Sequence, residues 1–202
     1  VYNERINLNQ VVALATGGTG VDQPILISDI DVVVTNDYSN GTTAGIYVGG
    51  RANVTIENVD IVVNSTNGLG GHESGLFYRQ SNNWAEISDL TVNNVNASVQ
   101  GWQARGVYIE HGGYYNVLEA ANISITNSNF SATGSVLGEG LYWTGGQLDL
   151  IDTNLFSGNT ASIYVNDANG AIISNSTLIG IIDNASADIV LSNCVDGSGN
   201  PL

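Results

Sequence analysis

A chain of 202 residues, 43% hydrophobic and only 11% charged, is long and apolar enough to bury its own core and too poor in charge for a disordered segment. Four arginines and no lysine against 19 acids leave a net charge of -15; nothing could neutralise a phosphate track or an anionic lipid surface, so nucleic acid and membrane-surface partners are excluded. Cys194 is the single cysteine, so no internal disulfide supports the fold, and no apolar run approaches the roughly 20 residues of a membrane span.

The chain starts on Val1 with no charged and apolar signal segment, and it stops at GSGNPL; it reads as a section of a longer protein. Residues 17–25, GGTGVDQPI, have the outline of one nonapeptide calcium repeat. Pro24 stands at its apolar position and no second copy follows, although such repeats hold the cation between neighbouring turns. A glycine-rich turn is expected there, and no metal.

From residue 25 a pattern of alternating apolar residues followed by Asn or Asp recurs: ILISDIDVVV (25–34), VTIENVDIVV (54–63), AEISDLTVNN (85–94), ISITNSNFSA (123–132), LDLIDTNLFS (148–157), AIISNSTLIG (171–180) and DIVLSNCVDG (188–197). Period-two alternation, β-branched residues and Gly/Asn/Asp punctuation predict strands throughout, and good helix formers never recur at helical spacing. Aligned, the copies stack Ile27, Ile56, Ile87, Ile125, Leu150, Ile173 and Leu191 as a buried column. Two residues on come Asp29, Asn58, Asp89, Asn127, Asp152, Asn175 and Asn193. Stacked strands place equivalent residues about 4.8 Å apart, so an Asn can hydrogen-bond its copy above and below; this Asn/Asp column is expected to be a structural ladder.

Between these copies lies a second strand type: GIYV from Gly45, GLFY from Gly75, GVYI from Gly106, GLYW from Gly140 and SIYV from Ser162. Side chains alternate along a strand, so with the apolar flanks inward Tyr47, Phe77, Tyr108, Tyr142 and Tyr164 point outward as a stripe roughly 20 Å long. Such rings either clad a sheet or bind, and the stripe is carried as a candidate ligand-binding surface, extended by Trp143 and Trp102. Trp84, Tyr114 and Tyr115 add rings; Trp102 and the two tyrosines sit in the longest insertions, where function concentrates.

Short strands repeating with a column of like residues describe a solenoid, each coil resting on the last. The unit GIYVGGRANVTIENVDIVV, with its echoes GVYIEHGGYYNVLEAANISITNSNF and GLYWTGGQLDLIDTNLF, resembles right-handed parallel β-helices, specifically passenger domains of Gram-negative autotransporters of the pertactin and AIDA type, with a pectin-lyase-like fold. The expected fold is therefore all-β, one right-handed parallel β-helix of about seven coils spanning 1–202, with repeats from about 25 to 195. The resemblance implies an extracellular protein, secreted or on the bacterial cell surface, that adheres to a host glycan or protein or associates with itself. It implies no cofactor.

Parallel β-helices also include polysaccharide lyases and hydrolases, so a carbohydrate-active enzyme is the alternative. A calcium-dependent lyase would need a basic residue beside clustered aspartates, and Arg51, Arg79 and Arg105 stand in three different contexts. A polygalacturonase would show paired aspartates and Gly-His-Gly, whereas His72 lies in GGHES and His111 in EHGG. An inverting glycosidase needs two carboxylates about 6.5 to 9.5 Å apart; Glu73, Glu110 and Glu139, beside successive ring strands, are the acids that could meet that distance. In so acidic a chain they read first as solvated loop residues. No catalytic residue is assigned, and His72 with His111 lacks the further ligands of a zinc site.

Overall fold

The computed structural model describes residues 10–16, 24–36, 41–49, 53–66, 71–80, 89–111, 123–152, 154–184 and 189–202. Trp84, Ile87, Tyr114, Tyr115, Arg51 and most of the glycine-rich 17–25 segment lie outside them. The described residues form strands without helices: β1 (Gln10–Thr16), β2 (Ile25–Asn36), β3 (Thr42–Gly49), β4 (Val54–Ser65), β5 (His72–Gln80), β6 (Leu90–His111), β7 (Ile123–Thr126), β8 (Asn129–Asp152), β9 (Leu155–Ser174), β10 (Thr177–Asn184), β11 (Ile189–Ser192) and β12 (Val195–Asp196). The protein is all-β, and its strands pair in parallel. An antiparallel bridge from Val195 to Pro201 turns the chain back beside β12.

Two series of pairings run through the sheet. In one, β2 lies on β4 and β4 on the first half of β6, with Ile27 opposite Ile56 and Ile56 opposite Val92. In the other, β1 lies on β3, β3 on β5 and β5 on the second half of β6, with Ile46, Leu76 and Val107 in one column. Long strands β6, β8 and β9 carry both series in one segment. Equivalent positions are separated by 29, 36, 33, 26, 22 and 18 residues, the connections shortening from the second interval onward.

Among the described residues, six of the copies turn at a corner. Asp29, Asn58, Asn94, Asn127, Asn175 and Asn193 have φ between 47° and 56°, the left-handed region that Asn and Asp tolerate better than other residues with a Cβ. The bend lets the residues on both sides of it face inward. In β4, Ile56 and Val59 flank Asn58, and both are buried. Beyond the corner alternation resumes with Ile61 and Val63 inside. Alternation also breaks at the start of the ring strands, where Ala44, Gly45 and Ile46, or Arg105, Gly106 and Val107, are buried in succession. A Cβ on Gly106 would stand 2.7 Å from Cβ of Phe130 and 2.6 Å from the carbonyl oxygen of Gly140, so no larger residue fits.

The buried column runs Ile27, Ile56, Val92, Ile125, Ile151 and Ile173 and ends on the partly buried Leu191. Two members differ from the sequence alignment. Val92 takes the place expected for Ile87, because AEISDLTVNN and LTVNNVNASV alternate equally well. The strand settles on the second window, which continues into Val95, Ala97 and Val99, opposite Val59, Ile61 and Val63. Ile151 replaces Leu150, which pairs with Ser124 instead; the apolar neighbours 150 and 151 left the phase open, and inward Phe156 downstream fixes it.

The corner column shifts with them. Asn94, not Asp89, is the third corner residue, and Asp89 lies before β6, its N–H donating to Oδ1 of Asn53 at 2.9 Å. Asp152 is not at a corner; it lies opposite Ser174, one residue before the corner at Asn175.

Immediately after the corner runs an internal polar column, Ser128, Asn154, Ser176 and Cys194, all buried. Each serves the neighbouring backbone: Ser128 Oγ accepts from Val95 N–H at 3.0 Å, Asn154 Oδ1 from Ser128 N–H at 2.9 Å, and Ser176 Oγ from Asn154 N–H at 3.1 Å. The bend takes these N–H groups out of the sheet ladder, and buried donors require partners.

Candidate functional site

In the ring strands the apolar flanks turn inward, and the rings stack along the outer face. Tyr47 meets Phe77 edge-on with centroids 5.2 Å apart, Phe77 lies parallel to Tyr108 at 4.4 Å, Tyr108 meets Tyr142 edge-on at 5.0 Å, and Tyr142 lies parallel to Tyr164 at 4.9 Å. In-register pairing of parallel strands dictates this, since each ring sits directly over its copy. Phe77 is buried by its neighbours, and the four tyrosines are half-buried. Parallel stacking covers one face each of Phe77, Tyr108, Tyr142 and Tyr164, while Tyr47 at the end of the row has a single, edge-on ring contact.

Trp143 does not belong to this surface. It follows Tyr142 in β8, points to the opposite side and packs inside at 1% exposure, between the strand positions of Ile109 and Val165. A ligand outside the sheet cannot reach it, so its assignment to the binding stripe is corrected. Trp102 stays at the surface, half-buried, and its backbone N–H donates to Glu73 at 3.0 Å.

Beside the rings lies an ion pair that sequence reasoning missed. Arg105 and Glu139 are directly opposite in register, with Nε and Oε2 3.0 Å apart and both side chains almost wholly buried. The guanidinium carbon stands 3.8 Å from the Tyr142 ring centroid and 4.5 Å from that of Tyr108, a cation over two π faces. Its NH1 contacts Nδ1 of His72 at 3.0 Å. A guanidinium only donates, so Nδ1 accepts and the ring is neutral with its proton on Nε2. The signal was legible: RGVY and EGLY carry opposite charges at the same repeat position, one residue before the glycine.

Burial and the neighbouring charges set the titration behaviour here. Burial, then the Arg105 charge, holds His72 below its ordinary value. Burial raises Glu139 against the opposing pull of Arg105. Burial first and the Glu110 charge second push Tyr108 up to about 12, and burial likewise raises Tyr142. The two phenols remain protonated donors at neutral pH.

The three acids raised as candidate carboxylates each have a structural partner. Glu73 is buried and accepts the N–H groups of Trp102 and Gln103, both at 3.0 Å. Glu110 pairs with Arg79 at 3.3 Å near the surface, and Glu139 pairs with Arg105. Among the described residues no group of three or more His, Cys, Asp or Glu is placed to hold a metal ion.

Outside the first corner the amides form three short runs. Asn94 donates to Asn58 at 2.8 Å and Asn58 to Asp29 at 3.2 Å. Asn129 donates to Asn96 and Asn96 to Asp60, both at 2.8 Å. Asn193 donates to Asn175 at 3.4 Å and Asn175 to Asp152 at 2.7 Å. Each run ends on an aspartate. A carboxylate can only accept, so it forces the next amide to present its NH₂, and the choice propagates up the run. Asn127 reaches sideways instead, to Asn93 at 3.0 Å. These bonds join Asp29 to Asn58 and Asp152 to Asn175 and Asn193 within the expected column, and bring in Asp60, Asn94, Asn96 and Asn129 from outside it.

No family model matches the chain, and neither a curated protein nor a solved structure resembles it closely enough to count as a match.

Proposed function

We propose that the chain is a section of an extracellular adhesin, a right-handed parallel β-helix of the autotransporter-passenger kind, whose ring-bearing outer face binds a protein surface or another copy of itself. The solenoid reading is supported by parallel pairing at offsets of 18 to 36 residues and by the left-handed corner that recurs at six Asn/Asp residues. The observation that carries the functional reading is the unbroken row of five rings, held in fixed geometry by stacking and by Arg105. A row of protonated phenol edges offers apolar area and hydrogen bonding at little entropic cost. Flat stacking on a sugar needs a free ring face, and here stacking takes one face each of Phe77, Tyr108, Tyr142 and Tyr164 while the Arg105 guanidinium lies over Tyr108 and Tyr142, so a protein partner suits the row better than a glycan. Ion pairing of Glu110 and Glu139 favours binding over the alternative of glycan cleavage.

The test replaces Tyr47, Tyr108, Tyr142 and Tyr164 together by Phe, which keeps the packing and removes the hydroxyls. Adhesion to host-cell protein and sedimentation at several concentrations are then measured, with a glycan array alongside. Loss of adhesion or self-association at an unchanged melting temperature supports the reading. Unchanged behaviour in both assays overturns it, as does release of sugar product from a polysaccharide by the wild type.

A further inference from the structure

Of the four contacts in the ring row, one joins two phenols with parallel planes. Tyr142 and Tyr164 are in-register partners on β8 and β9, with centroids 4.9 Å apart and planes 4° from parallel. Tyr47 has Phe77 as its ring neighbour, and Tyr108 stacks on the same Phe77 while meeting Tyr142 edge-on at 86°. Phenylalanine forms no phenoxyl radical, so Phe77 isolates Tyr47 from the other tyrosines of the row. Both Tyr142 and Tyr164 are half-buried, so each keeps an edge toward solvent.

We propose that Tyr142 and Tyr164 form an oxidative cross-linking site, closed by a peroxidase-type oxidant with hydrogen peroxide. Each phenol gives up one electron and one proton to become a phenoxyl radical. The two radicals couple through a ring carbon ortho to each oxygen, forming one C–C bond, and each coupled carbon then passes its hydrogen to its own oxygen, restoring both phenols. The pair loses two electrons and two protons in total, and one hydrogen peroxide takes them up to become two waters. Strand register already holds the rings against each other, so coupling needs local rotation and no diffusion. The product ties β8 to β9 covalently. This inference stands apart from the adhesin reading, since it depends on ring geometry alone.

The test treats the dilute, folded protein with a plant haem peroxidase and hydrogen peroxide, then measures dityrosine fluorescence and maps linked peptides by mass spectrometry. The expected product is an intramolecular link from Tyr142 to Tyr164 with the loss of two hydrogen atoms and a raised melting temperature. It disappears in Tyr164→Phe and in Tyr142→Phe, both of which preserve the stack, and it persists in Tyr47→Phe. In urea the preference for this pair is expected to vanish. Links confined to other tyrosines, a signal that survives Tyr164→Phe, or the same preference in the unfolded chain would each overturn the proposal.

Discussion

Arg105 lies over the ring of Tyr142, its guanidinium carbon 3.8 Å from the centroid, while its Nε is bonded to Glu139. One side chain thus joins the ring row to a carboxylate that the sheet has removed from water. Removing one partner of a buried ion pair leaves an uncompensated charge, which costs about 3–5 kcal/mol. Arg105→Met is expected to destabilise the protein by that order in urea denaturation. Adding Glu139→Leu should recover most of the loss, since an apolar pair of similar volume replaces a buried ion pair at little cost. A double variant as unstable as the single would show that the rings, and not the ion pair, depend on Arg105.

Corner residues give a backbone prediction. Asn94 has φ 54° and donates to Asn58 at 2.8 Å. In Asn94→Ala a residue with a Cβ occupies the left-handed region and the amide bond is lost, for about 1–2 kcal/mol from the backbone alone. Asn94→Gly loses the same bond without the backbone cost. Glycine should therefore be the milder change, and the midpoints of chemical unfolding for the two variants check the order.

Burial of the central column is tested by charge. Ile125 is fully buried between Val92 and Ile151. An unpaired carboxylate there costs several kcal/mol, comparable to the whole stability of a domain, so Ile125→Asp is expected to abolish cooperative thermal unfolding. A soluble, cooperatively melting variant would contradict the register.

The contact between His72 and Arg105 makes a pH prediction. The folded protein holds His72 below its ordinary value, so the unfolded chain takes up the proton first. The stability that His72 contributes is present above about pH 6.5 and is lost as pH falls below it. Glu139, which faces the same guanidinium, acts oppositely: its raised value means stability lost as pH rises above the ordinary carboxylate range. His72→Gln removes the first titration and keeps the second. Its melting temperature should therefore fall less steeply between pH 7 and 5 than that of the wild type.

Strands and their stacked order were legible because alternation and the Asn/Asp after each apolar pair recur copy by copy. The exact pairing was not. At Ile87 and Val92 two overlapping windows alternate equally well, and only the length of the strand beyond the corner separates them. Trp143 shows the same limit: its neighbour Tyr142 marks the strand face correctly, and alternation alone sends the tryptophan inside, yet an aromatic ring drew the functional assignment. The ring row was readable because four of its five rings lie two residues after a glycine, and Tyr164 lies two after Ser162. The buried pair beside it was equally readable from RGVY and EGLY, once opposite charges at one repeat position are taken to be contacts.

Polarity in the amide runs bears on how this protein ages. Hydrolysis of an asparagine side chain exchanges a donor for a charged acceptor, and its harm depends on the rung. At Asn94 the change costs one bond. At Asn58 it sets a new carboxylate against Asp29, where the native amide donates at 3.2 Å, while strengthening the bond received from Asn94 above. Asn96 and Asn175 hold the same middle position over Asp60 and Asp152. Chemical damage at Asn58, Asn96 or Asn175 would therefore place two negative charges on adjacent rungs, and these three residues are the points at which slow deamidation would first loosen the stack.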